Sequence, residues 1–293
     1  MNIGNISTAM VTPFKSDGDI DYTATENLIE HLLSSGSDSL VVCGTTGESP
    51  TLSTSEKLEL IQFVVEKVNK RVPVIAGTGS NNTAASIDLS LKAEALGVDA
   101  IMIVTPYYNK PNQRGMVAHF EAIANATTLP IVLYNIPGRS VVNLEPETIV
   151  ELSKIPSIQI VKEASGNLDQ MTKILANTEE DFLVYSGDDS LTLPLLAIGG
   201  TGIISVASHI IGKDMQEMIH AFHDGDHVKA ARIHQQILPV IKGLFQHPNP
   251  VVVKYALSKV GVGVGSLRLP LVEMTDEEKI NFDRIWDEFL QKK

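Results

Sequence analysis

Short apolar runs alternate with longer amphipathic stretches along the chain. Eight of the runs read as strands: 6–12 (ISTAMVT), 39–43 (SLVVC), 72–77, 100–106, 130–135, 158–164 (IQIVKEA), 181–187 and 201–206. Their spacing leaves room for one crossover helix per strand. Between them, 21–35 places Leu28/Leu32 and Ile29/Leu33 four residues apart on one helical face. Segment 53–69 opens on Ser53 and Glu56, a capping-box pair. Segment 83–96 stops ahead of Gly97, and 113–126 and 145–153 follow the same pattern.

The strand runs are nearly continuously apolar, as expected when helices cover both faces of a parallel sheet. Eight such units predict an α/β fold, a (β/α)8 TIM barrel, in preference to an open sheet. After residue 207 only helical patterns remain, over 212–223, 226–243, 248–260 and 275–291. The first completes the barrel. The expected division is a barrel over 1–223 and a helical C-terminal extension over 224–293.

Charge and composition narrow the partners. Lys and Arg total 23 against 35 Asp and Glu, a net charge of −12, which argues against broad nucleic-acid or anionic-membrane binding. No apolar run reaches the roughly 18–20 residues of a membrane helix. The N-terminus has no signal-peptide pattern, so the expectation is a soluble cytoplasmic protein. The single cysteine, Cys43, cannot form an internal disulfide and reads as a small buried strand residue. His220, His223, His227 and His234 fall in the late helical region and match no HExxH spacing. They read as solvated helix-face residues, and no metal site is expected.

In a barrel enzyme the chemistry sits where the strands end. Here the runs end in GTTGES (44–49), TPYYNKP (105–111), YNIPGR (134–139) and SGDD (186–189), and the sixth carries Lys162. Alternation puts Ile158, Ile160 and Lys162 on one face. If that face points outward, the lysine snorkels to solvent or pairs with Glu163. If it points inward, burial disfavours the ammonium. A nucleophilic amine near pH 7 needs a bias of roughly 4 kcal/mol, which buried lysines reach. Such an amine attacks a carbonyl to form an imine. Tyr134 offers a proton carrier and Arg139 a planar fork for a carboxylate. GTTGE is either an ordinary strand-to-loop turn or a carboxylate cradle of N–H groups and hydroxyls. No phosphate-loop or dinucleotide fingerprint is present.

Four motifs in register, GTTGE, TPYYNKP, YNIPGR and VKEASG (161–166), resemble the class I pyruvate-dependent aldolase superfamily, and within it the dihydrodipicolinate synthase family. GTTGE, the double tyrosine and Arg139 favour that family over sister sugar-acid lyases acting on N-acetylneuraminate or 2-keto-3-deoxygluconate. Intact Lys162, Tyr134 and Thr45 argue against a catalytically silent keto-acid-binding barrel. The resemblance implies condensation of pyruvate with L-aspartate 4-semialdehyde through a Schiff base on Lys162, with no cofactor, in the diaminopimelate route to lysine. It makes Tyr134 the proton donor and acceptor, with Thr45 and Tyr108 completing a proton relay. Tyr108 would reach in from a neighbouring subunit of a homodimer or homotetramer. Thr46 would contact the pyruvate carboxylate, Gly187 and Ile204 would line the pyruvate pocket, and Arg139 would receive the semialdehyde carboxylate. Glu163 has no assigned role beyond structural pairing. Lysine-inhibited members carry histidines and a glutamate where this chain has Thr54, Lys57 and Ala85, so weak or absent inhibition by lysine is expected, although Ser49, Asn81 and Tyr107 are present.

Overall fold

The computed structural model describes residues 1–293. Its elements run β1 (Ile6–Ala9), α1 (Tyr22–Ser34), β2 (Ser39–Val42), α2 (Thr54–Val68), β3 (Val74–Gly77), α3 (Thr83–Ala95), β4 (Ala100–Val104), α4 (Gln113–Ala124), β5 (Ile131–Asn135), α5 (Pro137–Ser140), α6 (Pro146–Leu152), β6 (Ile158–Glu163), α7 (Leu168–Asn177), β7 (Leu183–Ser186), α8 (Thr192–Ala197), β8 (Gly202–Ser205), α9 (Ser208–His223), α10 (His227–Leu244), α11 (Val251–Lys259) and α12 (Asp276–Gln291). Each strand pairs in parallel with the next, and β1 also pairs with β8. The sheet is a closed eight-stranded barrel followed by a helical C-terminal extension, as the alternation of runs predicts.

Local chemistry explains where the elements begin and end. Ser53 and Glu56 form the reciprocal capping box at the start of α2, and Gly97 takes a positive φ of 82° just past α3. The strands are shorter than the apolar runs. Val11 and Thr12 are buried but leave the ladder, with the Val11 N–H donating to His209 Nε2 at 3.2 Å and the Thr12 hydroxyl to the Gly47 carbonyl at 2.7 Å. Apolar pattern reports burial, and the rim of the barrel is buried beyond its last paired residue. The helix expected from 212 starts at 208, because a non-helical residue, Ile211, joins two helical pieces. His220, His223 and His227 are exposed and His234 is half-buried.

Alternation along the strands builds two apolar layers. Val41, Ile75, Val132, Ile160 and Ile204 fill the barrel interior, while Leu40, Val42, Leu133 and Val161 pack outward against the helices. Each such side chain, fully buried, stabilises the fold by about 1.5–3 kcal/mol. The inward row on β6 continues from Ile160 to Lys162. No helix is long and apolar enough to cross a membrane.

Candidate active site

Lys162 stands at the top of the interior layer, one step beyond Ile160 on the same face of β6, and is 5% exposed. Register places it between Tyr134 on β5 and Tyr185 on β7. Its Nζ lies 4.3 Å from the centroid of the Tyr134 ring. Burial pulls the Lys162 pKa down to about 8, with the Asp189 carboxylate opposing that fall and the Arg139 charge adding to it. Tyr134 is driven the other way. Burial raises its phenol to about 12, while the Arg139 charge and the Thr45 hydroxyl restrain the rise. One residue is biased toward giving up its proton and its neighbour toward keeping one.

Gly187 explains its own identity. A Cβ there would sit 3.1 Å from Lys162 Cε and 2.7 Å from Ala164 Cβ, so any larger residue would crowd the lysine stem. Ile204 lies in the same interior layer as Tyr134 and Ile160. Thr45, Tyr134 and Arg139 line one cavity of about 260 Å³ together with Ser49, Lys57 and Tyr107.

The turn after β2 is a tight, strained loop. Cys43 and Glu48, at its two ends, both adopt left-handed backbone (φ 57° and 53°). Gly47 N–H and Ser49 N–H donate to the Gly44 carbonyl, and Glu48 N–H to that of Thr45. The amides of Thr45 and Thr46 take part in none of these bonds. Two successive N–H groups are therefore free of the turn's own backbone bonding, which suits a carboxylate. Cys43 is buried, and desolvation raises its thiol to about 12, so it is inert as a nucleophile.

Tyr108 is the one candidate that its own chain does not bring in. Its backbone turns left-handed (φ 71°) and its side chain is 87% exposed, whereas Tyr107 lines the cavity. Glu163 points away from Lys162, on the outer face of β6. Its carboxylate accepts from Asn135 Nδ2 at 2.9 Å, Gln170 Nε2 at 3.1 Å and the Ser165 N–H. The pairing with Lys162 considered from sequence is thereby excluded, because adjacent strand residues face opposite sides.

Sequence reasoning passed over Asp189, Asn249 and Lys254. Asp189 is buried beneath the rim, accepting from Ser205 Oγ and the Val206 and Ala207 amides at 3.1 Å. Its signal was the SGDD run, which does not say which aspartate turns inward. Asn249 and Lys254 come from the C-terminal extension, where the Pro248–Asn249–Pro250 bracket was the only local hint.

The chain matches the dihydrodipicolinate synthetase family over residues 2–288. It is 59% identical to a 4-hydroxy-tetrahydrodipicolinate synthase of Bacillus velezensis, over 98% of this chain and 100% of that one. To the enzyme of the same name from Bacillus subtilis it is also 59% identical, over 96% of this chain and 97% of that one. A crystal structure of a dihydrodipicolinate synthase from Bacillus anthracis superposes with a TM-score of 0.97 at 54% identity, covering 98% of each chain. A barrel whose sixth strand carries a buried lysine near its end beside a buried tyrosine, matched this far along its length, belongs to the dihydrodipicolinate synthetase family.

Proposed function

We propose that this protein condenses pyruvate with L-aspartate 4-semialdehyde to give 4-hydroxy-tetrahydrodipicolinate, a step toward diaminopimelate and lysine. The observation that carries the proposal is Lys162, a buried amine with a lowered pKa packed on the Tyr134 ring. In this reading Lys162 attacks the pyruvate ketone, and water leaves to form the imine. The imine draws electrons from the methyl group, which loses a proton to give an enamine. The enamine carbon bonds to the aldehyde carbon of the second substrate, whose oxygen takes up a proton. The semialdehyde's own amine then displaces Lys162 and closes the ring.

Tyr134 carries the protons in this scheme, passed through Thr45 and the Tyr108 of a neighbouring subunit. Thr46 holds the pyruvate carboxylate, with Gly187 and Ile204 shaping its pocket, and Arg139 receives the carboxylate of the semialdehyde by paired hydrogen bonds. The assembly is a homodimer or homotetramer, and the cytoplasm is the compartment in which two small charged substrates would meet it. The deciding assay offers the purified protein both substrates and, separately, N-acetylneuraminate. Condensation of the semialdehyde faster than cleavage of the sugar acid is expected, and the reverse order overturns the assignment.

A further inference from the structure

The cradle turn is held by residues some 200 positions further along the chain. Asn249, between α10 and α11, is 7% exposed, and its Nδ2 donates to Thr46 Oγ1 at 2.9 Å. Lys254 on α11 sets its ammonium 2.5 Å from Glu48 Oε1, with both side chains almost fully buried. The Arg268 backbone N–H donates to the other oxygen, Glu48 Oε2, at 3.0 Å. Thr46 and Glu48 are thus gripped separately, one by a neutral amide and one by an ion pair. The ion pair anchors the turn. The amide bond does something a simple anchor does not.

A hydroxyl has one proton and two acceptor positions. The Asn249 N–H occupies an acceptor position on Thr46 Oγ1, so it makes no claim on the Thr46 proton. A carboxylate can only accept. Thr46 is useful to it only while that proton is free to point at it. We infer that Asn249 is a positioning residue for keto-acid binding: it holds the Thr46 hydroxyl as a donor toward the substrate carboxylate. This inference rests on the proposed contact between Thr46 and that carboxylate. It also gives the C-terminal extension a part in substrate recognition, since the residue that sets the hydrogen-bond direction lies outside the barrel strands and their loops.

Asn249→Asp separates direction from mere contact. Aspartate fills the same space but presents oxygen, which takes the Thr46 proton and adds negative charge beside an anion site. Asn249→Ala removes the bond and leaves the hydroxyl free to rotate. Steady-state kinetics with both substrates, and melting temperatures, should be measured for Asn249→Ala, Asp, Ser and Gln, for Thr46→Val, and for Thr46→Val with Asn249→Ala. The expected result is a pyruvate KM raised tenfold or more by Asn249→Asp and about threefold to tenfold by Asn249→Ala, with the semialdehyde KM and kcat within about threefold of wild type. In the Thr46→Val background Asn249→Ala should add nothing, because the two residues act through one contact. A folded Asn249→Ala or Asn249→Asp variant with an unchanged pyruvate KM, or an undiminished Asn249→Ala effect in the Thr46→Val background, overturns the inference while leaving the Thr46 contact standing. An unchanged KM in Thr46→Val itself refutes the Thr46 contact, and the inference with it. Failure of all four position-249 variants to fold assigns Asn249 to stability alone and overturns it as well.

Discussion

Lys162 and Tyr134 are partners across β5 and β6, and the Lys162 Nζ lies 4.3 Å from the centroid of the tyrosine ring. The ring face favours the charged amine, and burial disfavours it. Burial wins, and the pKa falls to about 8. At pH 7 roughly a tenth of the amine is then neutral, against about one part in three thousand for an ordinary lysine near 10.5.

That balance predicts the pH dependence of imine formation. Borohydride reduction in the presence of pyruvate should add one pyruvate unit at Lys162, located by peptide mass spectrometry. The trapping rate should rise with pH and level off above about 8. Lys162→Ala should give no adduct and retain its fold. Labelling at a different lysine, or a rate still climbing toward pH 10, would contradict the site as described.

Arg139 acts on both neighbours, since its charge lowers the pKa of Lys162 and of Tyr134. Removing it therefore raises both. Arg139→Ala should move the trapping profile to higher pH and still permit the pyruvate adduct. Loss of the proposed charge-assisted hydrogen bond to the semialdehyde carboxylate would cost about 1.5–3 kcal/mol, or roughly 10- to 150-fold in kcat/KM for that substrate. An equal loss for both substrates would show that Arg139 does not discriminate between them.

Much of this was legible beforehand, for a physical reason. Parallel strands covered on both faces leave apolar runs, and barrel chemistry collects where those runs end, so Lys162, Tyr134, Arg139 and the GTTGE turn could be picked out from pattern, whereas Thr45 was singled out only by the resemblance. Strand length was overestimated because residues such as Val11 and Thr12 are buried without pairing to a neighbouring strand. Helices α7 and α8 escaped explicit assignment, the latter because six residues, one of them Pro194, carry no helical period. Asn249 and Lys254 were invisible for a different reason. Their partners, Thr46 and Glu48, lie some 200 residues away, and no local pattern encodes a long-range hydrogen bond.

Two histidines are built in neutral. His209 Nε2 accepts from the Val11 N–H at 3.2 Å, which leaves Nδ1 to donate to the Val206 carbonyl at 2.8 Å. His119 is buried with an unpartnered Nε2. Burial lowers both pKa values to about 4. Between pH 6.5 and 4 the unfolded chain binds protons that the native state refuses. Their contribution to stability is therefore intact above about 6.5 and is lost as pH falls toward 4. With isotopically labelled histidine, the ring signals of His119 and His209 should fail to titrate between pH 8 and 5. Titration of either near 6.5 would refute its neutral assignment.

Lys57 lines the same cavity as Ser49 and Tyr107, half-buried, with desolvation lowering its pKa. No carboxylate lies within ion-pair distance of it. A free lysine entering there would bring its ammonium toward a like charge. L-lysine at 1 mM should leave the condensation rate within about twofold of the uninhibited value. Strong submillimolar inhibition would mean that a site elsewhere on the protein binds it.

Tyr108 poses the question of assembly. A non-glycine residue held left-handed costs about 1–3 kcal/mol unless its surroundings compensate, and within its own chain the Tyr108 ring touches mostly solvent. Tyr107, immediately before it, faces the chain's own cavity, so the strained turn sends the second ring outward. A two-fold contact would let each chain give Tyr108 to the other's site. Tyr108→Phe and Lys162→Ala should each be nearly inactive alone. Mixed and allowed to exchange subunits, they should form heterodimers in which one site carries both lesions and the other neither. Activity should recover to about a quarter of wild type at equal mixing, since half the molecules are hybrids and half of their sites are intact. No recovery, with exchange confirmed by native mass spectrometry, would place the working Tyr108 in its own subunit and remove the argument for a shared site.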